Sequence, residues 1–147
     1  MSAETDMMKL YSARILALAA DMPRTERVES PMGSAKKPAP LCGSTVTADI
    51  VLDAALITDY GQDVKACALG QAAASVIGNA IVGQNVDAVR DGRAQLLAML
   101  TSNGPAPSAP FEGLEVLLPA KEYKNRHASI MLAFDATLEA IDNATLT

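Results

Sequence analysis

Aromatic residues make up only 3% of the 147-residue chain, and tryptophan is absent. Without aromatic surfaces to stack on, a platform for single-stranded nucleic acid is excluded. A single histidine rules out every multi-His zinc site, including the HExxH type. Two cysteines cannot form a multi-disulfide framework, and by themselves they cannot complete a Cys₄ or Cys₃His metal site. Positive charge is also scarce. Twelve Lys and Arg stand against 17 Asp and Glu, and the net charge of -5 argues against a phosphate-backbone binder. No GxGxxG, Walker loop or GxSxG is found, so no classical enzyme constellation is present.

Long hydrophobic runs are missing as well. The most apolar stretches, residues 15–20 and 66–82, are too short or too often interrupted by polar residues to span a membrane. The first six residues are acidic where a secretory signal is basic. Asn143-Ala144-Thr145 fits a glycosylation sequon, a three-residue pattern that chance often supplies. The expectation is a cytoplasmic protein with neither nucleic acid nor membrane as partner.

What is present is a chain of half hydrophobic residues, long enough for one domain with its own core. Residues 1–147 read as that single domain. Met8, Tyr11, Ile15 and Leu18 follow helical spacing over residues 5–20, with Thr5 or Asp6 as cap and Pro23 as stop. Residues 22–40 carry four of the eight prolines, Gly33 and the solvated pair Lys36-Lys37, which predicts irregular backbone with a short edge strand near residues 27–30. Over residues 45–53 the period becomes two. Val46, Ala48, Ile50 and Leu52 form the buried face, while Asp49 and Asp53 fall on the polar one. Asp53-Ala54-Ala55 turns the chain into a second strand, residues 56–60, which Gly61 breaks.

Residues 66–82 are small nearly all round, which predicts a helix buried on several sides with other backbones close against it. Gly83 ends it, and Asn85 or Asp87 caps the next helix, with Val86, Val89, Leu96, Leu97 and Leu100 as its apolar set. Residues 102–110 are a loop by composition. Leu114, Leu117 and Leu118 make a short apolar patch before Pro119. A last helix, residues 125–141, lines up Ile130, Phe134, Leu138 and Ile141. The order predicts an α+β fold, a small antiparallel sheet of about three strands covered on one face by helices.

Chemistry-bearing residues are few. Cys42 sits in the turn Leu41-Cys42-Gly43-Ser44, where Gly43 lets the backbone bend and brings the thiol near the surface. Cys67 opens the small-residue helix, whose positive end favours a thiolate, the nucleophilic and metal-binding form. Taken singly, both cysteines also fit as small buried apolar residues. His127, where the last helix begins, reads as a surface or capping residue, or as a ligand. Ser129 reads as a helix-end hydroxyl.

The joint pattern says more. Leu41-Cys42-Gly43 resembles the Cys-Gly-Asp turn of the NifU N-terminal-domain-like family, the IscU and SufU iron–sulfur cluster assembly scaffolds. Ala66-Cys67-Ala68-Leu69-Gly70-Gln71-Ala72-Ala73-Ala74-Ser75 is similar to its Gly-Cys-Ala-x-x-x-Ala-Ser-x-Ser segment. Ser129-Ile130-Met131-Leu132-Ala133-Phe134-Asp135-Ala136 is similar to the segment that starts with the third cysteine. The resemblance runs over residues 6–141, and the extra residues 84–121 look like SufU-type members more than IscU. It implies a site of three cysteines and an aspartate that accepts sulfur from a cysteine desulfurase. That site holds iron as a transient nascent Fe–S cluster, or zinc in many SufU-type proteins.

Two of the four positions depart from that pattern. The aspartate is Ser44, and the third cysteine is absent, its place falling on Ser129 or, with a two-residue slide, on His127. Leu118-Pro119-Ala120-Lys121 resembles only faintly a chaperone-binding motif of IscU, and no chaperone partner is inferred from it. The resemblance therefore implies a scaffold-like protein, not an enzyme, with Cys42, Cys67 and His127 as candidate metal ligands. Fe–S acceptor proteins are further candidate partners. The alternative it leaves is a sulfur acceptor, or a regulatory or interaction paralogue, that keeps the fold without holding a cluster.

Overall fold

The alternation over residues 45–53 becomes the middle strand of a three-stranded antiparallel sheet, in a computed structural model that describes residues 12–39 and 43–145. Chain order is α1 (Ala13–Ala20), β1 (Gly33–Pro38), β2 (Thr45–Asp53), β3 (Leu56–Lys65), α2 (Ala68–Ala80) and α3 (Val86–Thr101). A run of 3₁₀ turns (Glu112–Glu122), a shorter one (Lys124–Arg126) and α4 (His127–Thr145) complete it. The fold is α+β. Val46, Ala48, Ile50 and Leu52 are all buried, and α4 lies against β1 and β2. β2 pairs with β1 from Pro38↔Thr45 to Gly33↔Ile50, and with β3 from Thr45↔Lys65 to Asp53↔Leu56.

The helices follow their sequence patterns. Ser12 caps α1, its side chain accepting from Ile15 N; Thr5, Asp6, Met8 and Tyr11 lie outside the described residues. In α2, Leu69 through Gly78 are buried apart from Gln71, because α1, α4, β3 and the 3₁₀ run all pack around it. Asn85 caps α3 by accepting from Asp87 N at 2.9 Å. In α4 every residue from Ser129 to Phe134 is buried, as are Ala136, Thr137, Ala140, Ile141 and Ala144, while Leu138 is half-buried, and Phe134 meets Phe111 edge-on at 5.4 Å. The helix starts at His127, after a 3₁₀ turn, and runs on to Thr145 because Ala144 is still buried against the sheet. The buried Tyr60 hydroxyl lies 2.8 Å from Thr137 Oγ1. Since Thr137 donates to Ala133 O, the Tyr60 hydrogen goes to Thr137, and burial pushes the phenol pKa up to about 12. Among the described residues, no helix is long and apolar enough to cross a membrane.

Three expectations need correction, and all three concern one corner. The edge strand is Gly33–Pro38, not residues 27–30. Gly61 does not break β3, which continues to Lys65. Asp49 is not on a solvated face; it is fully buried. The common cause is the segment at residues 24–28, which folds over the sheet. Arg27 grips the Asp49 carboxylate through Nε at 2.6 Å and Nη2 at 3.0 Å, and Val28 N donates to it at 3.0 Å. Ser34 Oγ adds a fourth bond at 2.6 Å. Val28 N–H is thereby satisfied by a side chain instead of a strand partner. Gly61 serves the same contact: a Cβ there would run into the Glu26 carbonyl, and Gln62 N donates to Arg24 O at 2.8 Å.

Burial raises the Asp49 pKa, but the hydrogen bonds from Arg27, Ser34 and Val28, with the Arg27 charge, outweigh it and hold the carboxyl below its usual value. A depressed folded pKa gives stability above the unfolded value of about 3.9, which is lost as pH falls through the folded one. Arg27 is 56% exposed, so solvent screening moderates the pair. Asp49→Asn is expected to cost about 2 kcal/mol at pH 7 in urea unfolding. The variant should also lose less stability than the parent on acidification below pH ~4. Parallel decline of the two proteins would count against this role for the carboxylate.

Candidate functional site

Strand register brings the first two parts of the site together. Thr45 at the start of β2 pairs with Lys65 at the end of β3, so Ser44 arrives beside the chain that leads into α2. Ala39 N donates to Ser44 O at 2.8 Å, and Gly43 N donates to Ala39 O at 3.2 Å. Gly43 has φ +71°, a left-handed conformation that glycine adopts without strain. Cys42, the neighbour of Gly43, lies outside the described residues.

Cys67 is the N-cap of α2. Its backbone is extended, its carbonyl accepts the first helical bond from Gln71 N, and its side chain makes no capping bond. The sulfur sits on a half-buried residue. The third part comes from α4, whose third residue, Ser129, is 2% exposed. Ser129 Oγ lies 3.5 Å from Cys67 Sγ and 3.2 Å from the Oγ of Ser44, itself 4% exposed. The sequence reading named all three residues as site positions, and the structure gathers them into one contact set of a thiol and two hydroxyls.

His127 is placed differently. Its Nε2 is 3.0 Å from Ala120 O and 3.2 Å from Lys121 O, so that nitrogen carries the hydrogen and donates to the 3₁₀ run. Residues two apart on a helix project about 200° apart, which turns His127 away from the side where Ser129 meets Cys67. Its visible work is to pin residues 120–121 to the start of α4.

Gly70 is a residue that the sequence marks for close packing, through the cost of glycine inside a helix, but does not mark as part of the site. A Cβ at Gly70 would stand 2.7 Å from Ser129 Oγ and 3.0 Å from Ser129 O, so only glycine lets α4 come this close to α2. The signal was there in the expectation of close backbones along residues 66–82, but nothing in the sequence said which backbone. A hollow of about 400 Å³ lies elsewhere, between α1 and α2 and lined by Arg14, Leu18, Asp21, Val76 and Asn79. None of Ser44, Cys67 and Ser129 lines it.

Among the described residues, the donors gathered at this corner are one thiol and two neutral hydroxyls, Cys42 lying outside them. Among the described residues, no three His, Cys, Asp or Glu side chains converge. A lasting site for zinc takes three or four such donors. One thiol with two neutral hydroxyls can form and exchange hydrogen bonds, and the sulfur can act as a nucleophile or a single ligand.

The fold and the Cys67 corner define the class, an α+β domain with a thiol site where sheet, α2 and α4 meet. No protein-family model matches the chain, and no curated protein matches it. Solved structures do. The N-terminal part of a nitrogen-fixing NifU-like protein from Brucella abortus is 37% identical, with TM-score 0.94 over 97% of this chain and 99% of that one. The chain belongs to this NifU-like N-terminal-domain family. The same fold is found in a candidate iron–sulfur cluster assembly scaffold protein for the SUF system from Fervidobacterium islandicum AW-1. That protein is 18% identical, with TM-score 0.81 over 91% of this chain and 98% of that one. A hypothetical protein also shares it, at 19% identity and TM-score 0.78.

Gly70→Ala tests the α2–α4 approach. Alanine is the better helix former by about 1 kcal/mol, yet the clash with Ser129 is expected to give a net loss of about 1–2 kcal/mol in urea unfolding. A gain in stability would show that the two helices have room to spare.

Proposed function

We propose that the protein works in iron–sulfur cluster assembly as a scaffold-like carrier, with Cys67 as the residue at which cargo is taken up. Membership of the NifU-like family supports this reading. The observation that carries it is the convergence of Cys67, Ser44 and Ser129 at the N-terminus of α2. Cargo here means sulfur delivered by a cysteine desulfurase, and iron or a nascent cluster held through Cys42 and Cys67, with zinc as a competitor. His127 contributes least, since its Nε2 already serves two carbonyls. The protein hands its cargo to Fe–S acceptor proteins and performs no turnover of its own, in the cytoplasm and away from membrane and nucleic acid.

A second reading has its own observation. The Cys67 thiol is hydrogen-bonded to a hydroxyl, an arrangement suited to sulfur acceptance without iron. In that step the Cys67 thiolate attacks the sulfane sulfur of a desulfurase persulfide. A new S–S bond forms on Cys67, the donor S–S bond breaks, and the donor cysteine leaves as thiolate. No outside oxidant or reductant is needed.

One anaerobic experiment separates the two. With a desulfurase, cysteine and ferrous iron, the scaffold reading expects thiolate-to-iron absorption and bound sulfide, both lost in Cys67→Ser. Persulfide on Cys67 by mass spectrometry, with no bound iron, moves the conclusion to the acceptor reading. A protein that gains neither iron nor sulfur overturns both.

A further inference from the structure

We infer that the hollow between α1 and α2 binds a short apolar peptide with both termini free, about three residues long. This hollow is separate from the cargo site, since none of Ser44, Cys67 and Ser129 lines it. Its volume of about 400 Å³ is of the size that small ligands occupy. Arg14, Leu18 and Asp21 line it from α1, at the i, i+4 and i+7 spacing of one helix face. Val76 and Asn79 line it from α2.

The charges decide the class of ligand. Arg14 stands at one end of the α1 face and Asp21 at the other, seven positions or about 10 Å apart along the axis. An extended chain covers about 3.3–3.6 Å per residue, so three residues bring a carboxylate to Arg14 and an ammonium to Asp21. Leu18 and Val76 suit an apolar middle side chain. Asn79 offers an amide that both donates and accepts, as a peptide group requires. These groups are available. Arg14 meets Glu115 only at 3.8 Å, beyond hydrogen-bond length. The Asp21 carboxylate and the Asn79 amide make no hydrogen bond among the described residues. Both charges are also set against the helix that carries them. A cation in the first turn and an anion at the C-cap each oppose the α1 dipole, and a ligand of reversed polarity relieves both.

The test is an NMR titration of the full-length protein with the tripeptide Ala-Leu-Ala. Saturable amide shifts are expected, centred on residues 14–21 and 75–79. Asp21→Asn should weaken binding of the free peptide about two- to fivefold and leave binding of the N-acetylated peptide unchanged. Arg14→Gln should weaken the free peptide to the same extent and leave the C-amidated one unchanged. Both side chains are exposed, so neither substitution disturbs the core. Leucine alone, too short to reach both ends, should bind more weakly than Ala-Leu-Ala. Absence of a saturable shift overturns the proposal, and so do shifts centred on another part of the fold. Equal affinity of the parent for the free, acetylated and amidated peptides overturns it as well.

Discussion

The seating of α4 against both the sheet and α2 is the constraint on which the rest depends. Along its length the helix buries Ile130, Phe134, Ala136, Ala140 and Ile141, the main body of the core under β1 and β2. Thr137 fixes its height on the sheet through Tyr60, a bond made in a dry interior where an unpaired phenol would be costly. Gly70 fixes its distance from α2. With both settled, Ser129 has no choice of neighbours. The same packing that stabilises the domain delivers a hydroxyl to the thiol.

A second anchor acts on the opposite side of the sheet. Buried Asp49 collects Arg27, Val28 and Ser34 and so straps the proline-rich segment over β2 and β3. A buried carboxylate is tolerable only when its bonds are satisfied, and four donors do that here. The strap holds the middle of β2, whose first residue follows Ser44. Structure and site are thus linked through one strand, with the anchored carboxylate near its centre and the site hydroxyl at its entrance.

Much of the fold was legible. The period of two over Thr45–Asp53 and the small-residue run of α2 predicted elements that are present with nearly those bounds. The strand near residues 27–30 and the break at Gly61 were misread for one reason. Propensity scores a residue by its own chain neighbours, whereas Gly61 and Val28 answer to a backbone and a carboxylate far along the sequence. Asp49 looked solvated because nothing in the alternation reveals what will cover the second face of a sheet.

For the site, the sequence by itself determined the inventory: two thiols, one imidazole, and serines at two positions where the related pattern has a carboxylate and a third thiol. Which of Ser129 and His127 faces the thiol was decided only by the tertiary structure. Ser44 and Ser129 are 85 residues apart, and Cys67 and Ser129 are 62 apart. Such partners meet through strand register and helix packing, and a two-residue slide along a helix turns a side chain to nearly the opposite face. Periodicity gives the direction of a residue relative to its own element; only packing says what waits there.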